Sequence, residues 1–365
     1  MRHRFHSMCP YFAMFPESFA ERWIRRLTRP GDTVLDPFSG RGTTALTALL
    51  NDRSVVACDV NDVAFCLTRA KTSAPTIRSV LQRVSQLESG FRPSATRPTV
   101  REDADFFSLC FSDNTLAQLL YLRGELQWRT RRTDTMIASL VLGILHGEMS
   151  PNSKYLSNQM PRTISTKPAY SVRFWKKHGL RPPDRNVFAV LRQVASYRYE
   201  SPRPLGSAHV IHGDMRKLPF DPSLRRTPAS CVITSPPYLN VTNFEEDQWL
   251  RLWLLGGPPT PTRGRVSRDD RHLRADAYWQ FIADMWRSLG AVVCNRGDVV
   301  VRIGSRYMGP DAVRRALTAS SRFSGRKVSL VSSRITEIKR RQTDAFRPGT
   351  RGCRIEIDCH FAFRD

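Results

Sequence analysis

The chain has no Cys-x-x-Cys pair among its eight cysteines, no internal repeat, and no apolar stretch near the roughly 20 residues that a transmembrane helix needs. Scattered cysteines exclude a zinc site or a disulfide framework as the organising principle and read instead as small buried hydrophobes. With no long apolar run and no leader pattern at the amino terminus, a cytoplasmic protein without membrane contact is expected. Acid is scarce as well: 33 Asp and Glu stand against 57 Lys and Arg, a net charge of +24. Such an excess favours a polyanionic partner, because neutralising phosphates releases condensed counterions, and nucleic acid is the first candidate. A solvated basic surface is the bland alternative. At 365 residues, 41% of them hydrophobic, the chain is long enough for one large domain or two modest ones.

The first informative pattern lies near the amino terminus. After Tyr11-Phe12-Ala13-Met14-Phe15-Pro16, the apolar positions Phe19, Ala20, Trp23, Ile24 and Leu27 fall at helical spacing, with Pro16 suited to the helix start. Thr33 to Phe38 predicts a strand, Ser39-Gly40-Arg41-Gly42-Thr43-Thr44 a glycine-rich turn, and Ala45 to Leu50 a helix. That order forms the nucleotide-binding corner of a doubly wound sheet, where glycine lets a ligand approach the backbone, although a tight turn without a ligand gives the same pattern. Ser54 to Cys58 predicts a second strand ending at Asp59 and Val60, before a helix from Asn61 to about Lys71. An acid about 20 positions beyond the glycine turn suits the two hydroxyls of a ribose, or else caps the helix that follows.

From 73 to 204 the strand-helix alternation stops. Ser73 to Arg101 and Asn114 to Gly147 predict helices, and between Glu148 and Arg185 the composition turns polar, basic and aromatic. Lys154, Tyr155, Asn158 and Arg162, then Arg173, Trp175, Lys176 and Lys177, are side chains of the kinds that reach phosphates, base edges and unstacked bases. A helical cap with solvated charges is the alternative. The sheet pattern resumes at Ala208 to Asp214, where Asp214, followed by Met215, is placed either to accept from the exocyclic amine of an adenine or to cap.

The apolar run Ser230 to Ile233 then breaks into Thr234-Ser235-Pro236-Pro237-Tyr238. Proline offers no backbone N–H, so two in succession leave carbonyls with few competing donors; Ser235 adds an acceptor and Tyr238 a flat face. The corner suits a planar group bearing an exocyclic amine, or is a stiff turn. Phe244 to Leu255 predicts an aromatic-rich core helix, and Gly256 to Arg268 a basic loop whose Arg263, Arg265 and Arg268 either contact phosphates or stay solvated. A helix (Ala277 to Gly290), a strand (Gly297 to Gly304), a helix (Asp311 to Ser320) and two strands (Lys327 to Lys339, Arg354 to Phe363) complete the chain. The expected fold is α/β, Rossmann-like and doubly wound, with a mostly parallel seven-stranded sheet from 1–72 and 205–365 and a largely helical insertion at 73–204.

With both corners in hand, the sequence resembles the amino-methylating DNA methyltransferases that use S-adenosylmethionine. Asp36 to Thr44 is similar to the family's first cofactor motif, Ser235 to Tyr238 to its catalytic motif, and Tyr11 to Pro16 to the segment that closes over the methionine end of the cofactor. Asp59 and Asp214 match the acids ending the second and third strands. The resemblance implies a cofactor site of Tyr11, Phe15, Pro16, Asp36, Pro37, Phe38, Ser39, Gly40, Gly42, Thr43, Thr44, Asp59, Val60, Asp214 and Met215, with S-adenosylhomocysteine as product and no metal. It implies double-stranded DNA as partner, bound through the insertion and the basic loop, and allows a cognate restriction endonuclease; no motif specifies an oligomeric state.

In that family the Ser-Pro-Pro-Tyr form goes mainly with cytosine N4, so cytosine N4 is the first target, with adenine N6 or an RNA amine as alternatives and a non-catalytic DNA-binding protein as a different class. The motif order resembles the group whose recognition region lies between the two motifs, except that this insertion precedes the third-strand acid. As catalytic residues, Ser235, Pro236, Pro237 and Tyr238 would act by position. The Ser235 hydroxyl and the Pro236 carbonyl accept the two N–H groups of a flipped base that stacks on Tyr238, with no strongly basic side chain required.

Overall fold

Short runs of Val, Ile, Leu and Cys, each stopped by a turn former or an acid, pair into one seven-stranded sheet. The computed structural model describes residues 2–11, 15–93, 104–147, 154–160, 167–239, 244–261, 274–305, 308–337, 353 and 355–364. The strands are β1 (Thr33–Asp36), β2 (Ser54–Asp59), β3 (Ala208–His212), β4 (Ala229–Thr234), β5 (Val293–Ser305), β6 (Val328–Glu337) and β7 (Ile355–Phe363), in the order β3-β2-β1-β4-β5-β7-β6. The first five pair in parallel, and β7 runs antiparallel to both β5 and β6. This is the expected Rossmann-like α/β sheet. Successive side chains go to opposite faces, and at the centre of the sheet both faces are covered, so β1 is buried along its whole length. Val34, Val55, Ala57, Cys231 and Ile233 pack with the Glu17–Leu27 and Thr43–Leu49 helices. Leu35, Val56, Val232, Val299 and Val301 pack with the Ala275–Val292 helix.

Two compact units divide the chain. The sheet unit comprises Phe12–Thr68, Pro204–Thr242 and Ser267–Asp365; the helical unit comprises Met1–Tyr11, Arg69–Arg203 and Asn243–Val266. The helical unit is thus larger than the expected insertion, because it takes in both the amino-terminal segment and the Phe244–Leu254 helix. Packing explains both additions. Trp249 meets Phe106 edge to face and Trp253 packs tilted on Phe107, with ring centres 5.0 and 4.7 Å apart, and the Arg123 guanidinium donates to the carbonyls of Trp253 and Gly257 near the helix end. The amino-terminal chain lies against Gly143 so closely that a Cβ there would sit 2.0 Å from the Met8 carbonyl oxygen. At the centre is the Arg132–Ile144 helix, buried from Asp134 onward, with Asp134 held by Arg83 at 2.9 Å.

Differences from the sequence reading are local. β1 stops at Asp36 because Pro37 cannot continue the ladder. The following helix begins two residues early at Thr43, the Val187–Arg198 helix was not anticipated, and β5 runs farther at both ends. All eight cysteines are free and seven are buried. Among the described residues no helix is long and apolar enough to cross a membrane, and no group of three or more His, Cys, Asp or Glu side chains is arranged to hold a metal ion.

Candidate active site

Strand order reverses at β1, whose neighbours β2 and β4 lead away to opposite edges. Crossover helices on opposite faces leave a crevice at such a switch point, beyond the carboxyl ends of the strands. Both sequence corners fall there within the sheet unit: the glycine turn follows β1, and Ser235 to Tyr238 follow β4.

Gly40 and Gly42 take φ of 50° and 75°, a left-handed region that glycine enters without strain. At Gly42 space is limiting as well, since a Cβ would lie 2.8 Å from Thr68 Oγ1 and 3.0 Å from Thr68 Cα. The turn is tied to the end of β2: the Ser39 N–H donates to the Cys58 carbonyl, and the Gly40 N–H to Asp59 Oδ2, both at 2.9 Å. Asn61 N–H donates to the other Asp59 oxygen at 2.9 Å. Burial raises the Asp59 carboxyl above its ordinary range, while these N–H groups pull it back. A carboxylate offers about four acceptor sites, more than its backbone contacts to Gly40, Asn61 and Val60 use. Phe38 lies 5.4 Å from Phe281, ring centre to ring centre, and Val60 is half-buried beside Asp59.

Asp36 joins the two corners. Its Oδ1 accepts from the Thr234 hydroxyl at 2.7 Å and from the Phe38 N–H at 3.2 Å, and Thr44 donates to the Ile233 carbonyl at 3.1 Å. Burial pushes the Asp36 carboxyl up to about 6, against the opposing pull of its Thr234, Thr44 and Phe38 hydrogen bonds. Pro37 and Thr43 stand at the two ends of the turn, and Thr43 is buried.

At the Ser-Pro-Pro-Tyr corner Ser235 and Pro237 are half-buried and Pro236 is buried. Tyr238, expected to offer a flat face, is only 7% exposed. Its hydroxyl donates to Glu356 Oε1 at 3.0 Å and accepts from Ser235 at 3.2 Å. Glu356 meets Arg302 at 3.3 Å, and Arg302 grips Asp358 through two contacts of 2.6 and 2.9 Å. The sequence reading gives Arg302, Gly304, Glu356 and Asp358 no part in the site, and Thr234 only a place at the head of the corner. A signal existed: Arg302 interrupts an apolar strand, and Glu356 and Asp358 recur at period two in another, so they share a face. Charge inside buried strands implies partners.

The remaining expected site residues divide. Asp214 caps the 3-10 turn that follows β3, accepting from the Arg216 N–H at 2.8 Å and pairing with its guanidinium at 2.6 Å; Met215 is core, contacted by the Ser288 hydroxyl. Phe15 packs on Phe19 at 4.9 Å, and Pro16 is exposed at the helix start. Tyr11 is buried in the helical unit, 6.2 Å from the Phe244 ring.

Of the expected DNA contacts, Lys154, Arg173, Lys176 and Lys177 are exposed, with Lys154 5.0 Å over the Tyr197 ring and Lys176 paired to Asp105 at 2.9 Å. Tyr155 is half-buried against Gly147. Asn158 and Trp175 must be corrected. Asn158 is buried, its amide donating to the Leu109 and Leu180 carbonyls, and Trp175 is fully buried, its indole N–H donating to the Gln159 carbonyl at 2.8 Å. Their polar atoms are committed to holding the helical unit together. Arg162, Arg263, Arg265 and Arg268 lie outside the described residues.

A doubly wound sheet with a glycine turn and a paired acid at its switch point defines the nucleotide-cofactor class of site. Within that class, the DNA methylase family matches residues 3–68, which take in β1, the glycine turn and β2. Over 49 residues the chain is 45% identical to the orphan methyltransferase M.BamHII of Bacillus amyloliquefaciens, covering 13% of this chain and 18% of that protein. Over 47 residues it is 47% identical to the type II methyltransferase M.BglI of Bacillus subtilis, covering 13% and 14%. The chain therefore matches only a small part of the length of these relatives. Among solved structures, TrmN from Thermus thermophilus aligns with 99% of this chain and 52% of its own, at a TM-score of 0.39 and 13% identity.

Proposed function

We propose that the chain is an S-adenosylmethionine-dependent DNA methyltransferase that modifies an exocyclic base amine, with cytosine N4 as its first target and adenine N6 as the alternative. The observation that carries this reading is the Thr234–Asp36 hydrogen bond of 2.7 Å, which couples the Ser-Pro-Pro-Tyr corner to the glycine-turn corner at the adjoining ends of β4 and β1. A cofactor corner and an amine-gripping corner must lie together for a transfer between their ligands. The likeness of residues 3–68 to DNA methylases supports the cofactor half.

Asp59 would hold the ribose hydroxyls, with Gly40 letting the cofactor approach the backbone and Phe38 lining the site, while Asp214 keeps its capping role and its pair with Arg216. When bound, the cofactor supplies an electrophilic methyl group on a sulfonium and leaves as S-adenosylhomocysteine. Ser235 Oγ and the Pro236 carbonyl would accept the two amine N–H groups, drawing the nitrogen lone pair out of the ring plane toward the methyl group. A stacked base cannot reach such a corner, so the target is flipped out. The exposed bases Lys154, Arg173, Lys176 and Lys177 of the helical unit would hold double-stranded DNA through its phosphates. A modification role, with or without a cognate restriction endonuclease, fits this reading. The test is incubation with cofactor and unmodified genomic DNA followed by mass spectrometry of the nucleosides. N4-methylcytosine is expected; N6-methyladenine would reassign the base, and modification of RNA alone would overturn the reading.

A further inference from the structure

The catalytic corner ends in a hydrogen-bond chain whose direction is set from its far end. Glu356 of β7 is anchored by Arg302, which is itself fixed by Asp358 and by the Phe19 ring 3.9 Å from its guanidinium carbon. An ionised carboxylate only accepts hydrogen bonds. The Tyr238 hydroxyl therefore donates to Glu356, at 3.0 Å, and its oxygen is left to accept from Ser235 at 3.2 Å. The Ser235 proton is thus committed inward, and the lone pairs of its Oγ remain for an N–H donor. β5 makes room for this arrangement: Gly304 stands opposite Glu356 in the ladder, and a Cβ there would lie 2.6 Å from a Tyr238 ring carbon.

We propose that Glu356 is the terminal proton acceptor for amine methylation at this site, reached through the hydroxyls of Ser235 and Tyr238; the proposal rests on the methyltransferase reading above. Methylation leaves the base nitrogen with a positive charge and one proton to lose. That N–H breaks as Ser235 Oγ gains the proton, the original Ser235 O–H breaks toward the Tyr238 oxygen, and the Tyr238 O–H breaks toward Glu356 Oε1. Three O–H bonds form as one N–H and two O–H bonds break, and the charge on the base cancels that on Glu356. Burial holds the Tyr238 hydroxyl far above its ordinary pKa, so Tyr238 passes a proton only as it receives one. The Glu356 side chain is 19% exposed, which lets it return the proton to water. Because they act through Ser235, Tyr238 and Glu356 position and relay.

The test compares the wild-type chain with Glu356→Gln, Tyr238→Phe and the double variant. Glu356→Gln keeps the acceptor oxygen and removes the base, while Tyr238→Phe keeps the ring and breaks the chain. Each is expected to lower kcat about 100-fold, the double variant no further, with KM for DNA and the calorimetric Kd for S-adenosylmethionine essentially unchanged. A proton inventory in mixed light and heavy water should curve for the wild type, from several protons moving together, and lose that curvature in Tyr238→Phe. Wild-type rates in both single variants of an active enzyme would overturn the relay and leave the methyltransferase reading standing. A wild-type protein that binds cofactor yet methylates no nucleic acid would remove that reading, and the relay with it. If Glu356→Gln loses cofactor binding, Tyr238→Phe decides alone, since it leaves the Arg302 pairs in place.

Discussion

Asp36 shows how one side chain can serve two corners at a cost. Its carboxylate ties β1 to β4 through Thr234, yet burial raises its pKa from an ordinary 3.8 to about 6. A folded-state pKa above the unfolded one means that the native protein binds the proton more tightly. The associated stability is fully present below pH 3.8 and is lost as pH rises through 6. Asp36→Asn removes that titration, so thermal melting from pH 4 to 7 should show the variant gaining on the wild type, by up to about 3 kcal/mol. A difference independent of pH would refute the buried, titrating carboxylate. Ser235 and Asp59 separate in the same manner by role. Ser235→Ala should lower kcat while leaving the calorimetric Kd for S-adenosylmethionine nearly unchanged, whereas Asp59→Ala should weaken cofactor binding about tenfold or more, the loss of a charge-assisted hydrogen bond. Equal loss of both quantities in Ser235→Ala would make that corner structural.

At the scale of elements, close backbone approach matters more than helix propensity. Gly290 lies in the Ala275–Val292 helix, where a Cβ would come within 2.0 Å of the Ser324 carbonyl oxygen. Alanine improves helix propensity by about 1 kcal/mol over glycine, but the overlap is with backbone and cannot be relieved by a side-chain rotation. Gly290→Ala should therefore destabilise the sheet unit by about 1–3 kcal/mol, visible as a lower Tm or urea midpoint. An unchanged or raised Tm would mean that the Ser321–Ser324 turn yields freely. The β5/β7 pair matters for a different reason. Its antiparallel register sets Gly304 against Glu356 and Arg302 against Asp358, so the ladder also brings Glu356 to the Tyr238 hydroxyl.

For the whole molecule the dominant property is its charge of +24. If the basic side chains hold a duplex through its phosphates, log Kd should rise linearly with log salt at a slope of about 0.9 per phosphate neutralised. Titrating a labelled duplex between 50 and 200 mM salt should then cost on the order of 10³ in affinity for six or more contacts. Binding insensitive to salt would show that the charge is a solvated surface. Charge reversal at Arg173 and Lys177, both exposed, should reduce that slope without altering Tm, whereas substituting buried Trp175 should act through stability.

Local information determined much of this protein. The strand before the glycine turn, the turn itself, the acid after β2 and the Ser-Pro-Pro-Tyr corner were legible, because hydrophobic period, positive φ and proline geometry are properties of a few neighbouring residues. The helical unit was less so. Residue type alone points Trp175 and Asn158 toward DNA, but which face of a helix or turn is buried depends on the surface that packs against it. The first eleven residues and the Phe244–Leu254 helix joined that unit for the same reason. Only the tertiary structure decided what stands behind the Ser-Pro-Pro-Tyr corner. Tyr238 and Glu356 are 118 residues apart, and no local pattern reports such a pairing. It arises because β7 inserts antiparallel beside β5 and places its acid at the register of Gly304, where the missing side chain leaves space for the Tyr238 ring.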